Sequence, residues 1–85
     1  MATNMLTIPY TDELLLSLKE TPAEFEAEAR LLLAVKFYEL GRLSTGTAAQ
    51  LAGVSRVDFI HSLHRFGLSP VGVEPSELAG DLANA

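Results

Sequence analysis

Residues 43–59 read Leu43-Ser44-Thr45-Gly46-Thr47-Ala48-Ala49-Gln50-Leu51-Ala52-Gly53-Val54-Ser55-Arg56-Val57-Asp58-Phe59, two short helical segments hinged on one glycine. Ser44 and Ser55 stand where helix N-caps belong, because a serine hydroxyl accepts from the backbone N–H groups that a helix start leaves without partners. Asp58, three residues after Ser55, places an acid in the first turn. Two helices that cross steeply through a tight turn need small side chains where they touch, and Ala49 and Ala52 supply them. The turn needs a residue that tolerates positive φ, and Gly53 supplies it. Val54 and Phe59 are expected to wedge the pair together. The stretch therefore predicts a helix-turn-helix over about residues 44–66, its second helix buried along Phe59, Ile60, Leu63 and Phe66 and closed by Gly67.

The signals continue on both sides. Thr21-Pro22-Ala23-Glu24 joins a cap, a proline at the first helical position and a glutamate three residues after the cap, a capping box that opens a helix running to Gly41. Phe25, Ala29, Leu32, Leu33, Phe37 and Leu40 recur along it at helical spacing, and Leu31, Val35 and Tyr38 give it a second apolar face, so it must cover two neighbours. Before it, Thr11 caps a shorter helix, Asp12 to Lys19, with Leu14, Leu15 and Leu18 on its expected buried side. Asn4-Met5-Leu6-Thr7-Ile8 reads as a strand ended by Pro9. One strand needs an edge to pair with. Either it pairs with Val71-Gly72-Val73, or it pairs with its own copy across a dimer. Beyond Pro70 the chain is a weak, acidic segment, with Gly80 between Leu78 and Leu82.

At 85 residues, 48% hydrophobic and 20% charged, the chain makes one small domain with a core of its own. Domains of this size bury only about 60–65% of their unfolded surface, so association is expected. The longest apolar run, Leu31 to Val35, is five residues, far short of the roughly 18–20 that a membrane span requires. No basic cluster or apolar signal stretch follows Met1, and no cysteine is present for a disulfide or thiolate site; a cytoplasmic location is the expectation.

The net charge of −5 argues against nucleic acid until its distribution is read. Asp12 to Glu39 holds seven acids against three bases; Arg42 to Phe66 holds three arginines against Asp58 alone; the tail adds Glu74, Glu77 and Asp81 with no base. The middle third is locally basic, and it is the helix-turn-helix. In such a unit the start of the second helix enters the major groove. The outward candidates there are Ser55, Arg56, Val57, His61 and Arg65, with Arg56 first because a guanidinium suits guanine edges and phosphates alike. Ser44, Thr45 and Thr47, opening the preceding helix, are candidates for phosphate contact.

Other chemistry finds little support. His61 and His64 have an i,i+3 spacing that can serve a metal, but a third ligand is wanting and Asp58 is the one nearby acid, so no metal site is expected. Serine, histidine and aspartate occur in no nucleophile motif. Glu24 and Glu28 belong to the polar side of a capped helix. No glycine-rich phosphate loop exists. The chain is expected to be neither an enzyme nor a cofactor binder.

The 43–59 stretch resembles the signature of the UPF0175 family of small prokaryotic proteins. Ile8-Pro9 ahead of a leucine-rich helix, and Leu33-Ala34-Val35-Lys36-Phe37-Tyr38-Glu39 leading into Gly41-Arg42-Leu43, fit the same layout, so the resemblance covers about Leu6 to Glu74. It implies an antitoxin-like protein encoded beside a PIN-domain ribonuclease-type toxin, which it silences while repressing its own operon through the helix-turn-helix. Thr47 departs from the pattern, standing where many members carry a basic residue, and removes one phosphate contact. Under this reading the acidic tail is the toxin-binding arm, through Val73, Glu74, Glu77, Leu78, Asp81 and Leu82, its carboxylates facing a cationic ribonuclease site.

The expectation is thus an all-α helix-turn-helix domain with a short N-terminal β-strand, residues 1–69, followed by a partner-binding acidic tail, residues 70–85, acting as a homodimer on operator DNA and a toxin. The rival is a protein-interaction module with no DNA role, docking a partner on its two-faced second helix.

Overall fold

The computed structural model describes residues 2–70. Four helices follow one another: α1 (Asp12–Leu18), α2 (Pro22–Glu39), α3 (Thr45–Ala52) and α4 (Arg56–Arg65). Each starts as its sequence dictates. Thr11, Thr21, Ser44 and Ser55 all accept a backbone N–H through the side-chain hydroxyl. The capping box of α2 is complete: the Thr21 N–H donates to Glu24 Oε1 at 2.9 Å and the Glu24 N–H donates to Thr21 Oγ1 at 3.2 Å. Hydrogen bonding to the carboxylate, from the Thr21 backbone first and then from the Thr21 side chain, holds the Glu24 carboxyl below the usual carboxylate range. All four helices close on a left-handed residue, Lys19, Gly41, Gly53 and Gly67, whose own N–H and the next one turn back onto the last turn in Schellman fashion.

Among the described residues the core runs from Ala34 to Leu63. Ala34, Val35 and Tyr38 of α2 meet Ala48, Ala49 and Ala52 of α3, and Phe59 and Leu63 of α4 are fully buried between them. The Phe59 ring stands edge-on to Tyr38, centroids 5.5 Å apart at 81°. Small residues decide this geometry, because three alanines let α3 lie close against α2.

Several expectations change. The core-facing side of α2 is the one carrying Val35 and Tyr38, with Leu31 packed beside it, whereas Leu32, Leu33 and Leu40 of the longer stripe are exposed. The alanines of α3 seat on the former side, and no described element covers the latter. Helix α1 buries none of its residues: Leu15 is half-buried and Leu14 and Leu18 are exposed. Val54 and Phe66 are 37% and 40% exposed, so Phe59 joins the two helices without them. No strand forms among the described residues. Residues 2–10 belong to no regular element, since no other described segment offers the edge a strand requires. The expected pairing segment Val71–Val73 and the acidic tail lie outside the described residues.

Glu20, between α1 and α2, is half-buried, and its Oε1 has no hydrogen-bond partner. Burial first, then a hydrogen bond with Glu28 and the negative charges of Glu28 and Glu24, push its pKa above the usual carboxylate range. A carboxyl whose folded pKa is raised contributes stability at pH below its unfolded value and loses it as pH rises through the folded value. Glu20→Gln is therefore expected to raise the melting temperature at pH 7, with the gap over the natural chain closing toward pH 4. Phe59→Ala opens a cavity in the only core of the described residues and is expected to cost about 3–5 kcal/mol. In a domain this small, that should abolish the cooperative thermal transition seen by circular dichroism.

Candidate nucleic-acid interface

Helices α3 and α4 are joined by Gly53 and Val54 ahead of the Ser55 cap. Gly53 sits at φ 78°, ψ 27°, and its N–H donates to the Ala49 and Gln50 carbonyls at 2.9 and 3.2 Å, while the Val54 N–H donates to Ala49 O at 3.0 Å. A residue with a Cβ is strained in that conformation. A side chain at this position would also meet the end of a flexible neighbour, which would have to shift. A Cβ at position 53 would stand 2.9 Å from one terminal nitrogen of Arg30 and 3.1 Å from its guanidinium carbon. Arg30 of α2 reaches across to donate its Nε–H to Leu51 O at 3.1 Å, answering a carbonyl that the end of α3 leaves over. The turn is thus clamped from outside by a side chain 21 residues away in sequence. Nothing local in the sequence marks Arg30; the one signal is a glycine whose bare Cα serves more than its φ.

Seven of the eight predicted contact residues fall into three groups, with Ser55 standing apart as a cap. Ser44, Thr47 and Arg56 share one exposed surface at the start of α3. Ser44 Oγ accepts the Thr47 N–H at 3.2 Å and donates to Thr47 Oγ1 at 3.1 Å. Arg56 lies across the same turn, where a methyl group added at Gly46 would stand 3.9 Å from its Cδ and Nε. The second group runs down the outer side of α4, because Val57, His61 and Arg65 recur at i, i+4 and i+8 opposite buried Phe59, Ile60 and Leu63. Val57 is half-buried and His61 exposed. Arg65, at the far end of the helix, holds its guanidinium carbon 5.8 Å from the centroid of the Phe66 ring. Ser55 is exposed, its hydroxyl engaged as the cap of α4, where it accepts the Asp58 N–H at 3.0 Å.

Thr45 forms the third group alone. It is 6% exposed, and its hydroxyl donates to the Tyr38 hydroxyl at 3.4 Å, so it secures α3 to α2 and is turned away from any phosphate. Sequence spacing places Thr45 with Ser44 and Thr47; the helix carries it to the opposite side. The partner-binding candidates Val73, Glu74, Glu77, Leu78, Asp81 and Leu82 lie outside the described residues. No group of three or more metal-ligating side chains gathers among the described residues. No described helix is long and apolar enough to cross a membrane.

This is an all-helical arrangement of four helices, the last two joined by a glycine turn. The family model "Uncharacterised protein family (UPF0175)" matches residues 1–85, and the chain belongs to that family. It is 40% identical over 65 residues to a UPF0175 protein of Aeropyrum pernix, covering 76% of this chain and 72% of that one. To a UPF0175 protein of Archaeoglobus fulgidus it is 37% identical over 57 residues, covering 67% of this chain and 64% of that one. No solved structure matches.

Gly53→Ala combines a φ penalty with a close approach to Arg30, and is expected to destabilise the domain by about 1–3 kcal/mol. In the Gly53→Ala/Arg30→Ala double variant the close approach is gone and the φ penalty remains. Chemical denaturation of all four proteins should then give a double variant less destabilised than the two single changes summed. Strict additivity would mean that Arg30 accommodates the added methyl group without cost.

Proposed function

We propose that the chain is the antitoxin of a type II toxin–antitoxin pair, a homodimer that silences a PIN-domain ribonuclease-like toxin and represses its own operon by binding DNA. One observation carries the DNA half of this reading. The clamped α3–Gly53–α4 unit brings Ser44, Thr47 and Arg56 onto one exposed surface in the part of the chain where bases outnumber acids. In this reading Arg56, Ser44 and Thr47 hold phosphates and set the register, while Val57 and His61 reach base edges from the outer side of α4. Arg65, at the far end of α4, meets backbone. Membership of the UPF0175 family supports the reading through the antitoxin-like character that the resemblance implies. The toxin half rests on the tail's composition, leucines among Glu74, Glu77 and Asp81, suited to a groove with a basic rim. No catalytic role and no cofactor belong to this reading.

A second reading has its own support. The net charge of −5 and the exposed side of α2 with Leu32, Leu33 and Leu40 fit a protein-interaction module without a DNA role.

Arg56→Ala is expected to weaken binding to the DNA upstream of the gene and to reduce the slope of log affinity against log salt by about 1, measured by gel shift across a salt series. Unchanged affinity at low salt would remove Arg56 from the interface. Deleting residues 73–85 is expected to abolish capture of the co-expressed toxin in a pull-down while the mass of the free protein still reports a dimer; retained capture would place the toxin site elsewhere.

A further inference from the structure

Residues 2–9 combine three properties that the other described residues do not share. Their backbone groups make no hydrogen bond to any other described residue. Met5, Leu6 and Ile8 are 87%, 71% and 60% exposed. No side chain from Ala2 to Tyr10 is charged, whereas Asp12 to Glu39 carries seven acids against three bases. The segment is also anchored at its end: the Tyr10 hydroxyl donates to Glu26, and its ring packs edge-on against Phe25 with centroids 4.8 Å apart.

We propose that Asn4 to Ile8 pairs with the same residues of a second copy in an antiparallel two-stranded ribbon, joining two chains about a twofold axis. The proposal rests on the homodimer reading and is independent of whether the chain meets DNA. Five consecutive residues of strand-forming pattern, ended by a proline that lacks an N–H, need an edge to pair with. The chain's own alternative, Val71-Gly72-Val73, offers three residues with glycine at the centre between Pro70 and Pro75, too short to match five. A second copy offers the same length and the same lack of charge. Charge selects the site too. Two copies meeting across α1 and α2 would oppose acid to acid, whereas two copies of residues 2–10 meet with none.

In the ribbon Asn4, Leu6 and Ile8 share one face and Met5 and Thr7 the other. A bare two-stranded ribbon is marginal in water, so the Leu6 and Ile8 face requires cover. Leu14 and Leu18 of α1, exposed on one side of the helix and only a few residues further on, supply apolar surface for it. The twofold axis presents two copies of α4 in opposite senses, the arrangement that an inverted-repeat duplex takes.

In such a ribbon one residue lies opposite its own copy, because paired side chains point to the same face and the axis maps each pair onto itself. The chain contains no cysteine. Single substitutions Asn4→Cys, Met5→Cys, Leu6→Cys, Thr7→Cys and Ile8→Cys therefore report that residue directly, with exposed Glu28→Cys as control. The expected result is fast oxidation to a linked dimer peaking at one of the five positions, with the control slow. Five positions no faster than the control would overturn the ribbon.

Sedimentation gives an independent arm. Adjacent N–H groups of a strand point to opposite sides, so one of Leu6→Pro and Thr7→Pro removes a ladder bond whatever the register. The core comes from α2, α3 and α4 alone, so helicity should survive in both. The natural chain should sediment at twice 9.1 kDa, and one of the two variants should associate roughly tenfold or more weakly. A monomeric natural chain overturns the homodimer itself. A dimer that both proline variants retain overturns the ribbon and leaves the homodimer standing.

Discussion

The close seating of α3 against α2 is the constraint on which the rest of the molecule depends. Ala34 on one side and Ala48 and Ala49 on the other are 0–2% exposed, and their small side chains suit a close approach of the two helices. That approach leaves room for one large ring, Phe59, to fill the angle between α2, α3 and α4. It also brings the end of α3 within reach of Arg30, which then fixes the turn into α4. The direction in which α4 projects is a consequence of alanines placed on another helix.

Readability from the sequence was uneven, for physical reasons. Helix starts and stops were plain, because capping is local chemistry: Thr21 and Glu24, or Ser55 and Asp58, answer one another within a single turn. The glycine turn was equally local. The choice of buried face on α2 was not, because that helix is apolar around much of its circumference, and only the position of the α3 alanines selects the Val35 and Tyr38 side. Thr45 and Arg30 fall in the same class. A threonine between two exposed neighbours gives no sign that it turns inward onto Tyr38, and an arginine among glutamates gives no sign that it crosses to Leu51. In the candidate interface, residue types were readable and their grouping was not. Arg56 joins the start of α3, apart from the stripe of Val57, His61 and Arg65.

The two halves of the domain differ in what they bury. Among the described residues, all nine buried apolar ones lie between Ala34 and Leu63, and the earlier part of the chain holds most of the acids and many exposed leucines. The core lies among α2, α3 and α4, whereas the uncharged residues 2–10 and the leucines of α1 are left largely uncovered. Under the proposed function, the first part would meet DNA and the second another polypeptide. In sequence, Ser44, Thr47 and Arg56 fall in the stretch from Arg42 to Phe66, where Asp58 is the single acid.

The most direct test of this account is fluorescence anisotropy of the natural chain with a labelled duplex from upstream of its own gene, beside a random duplex, at two salt concentrations. The account predicts tighter binding to the upstream duplex and a steep loss of affinity at the higher salt, as displacement of counterions from phosphates requires. Equal affinity for both duplexes, or no binding at low salt with and without the co-purified toxin, would contradict it.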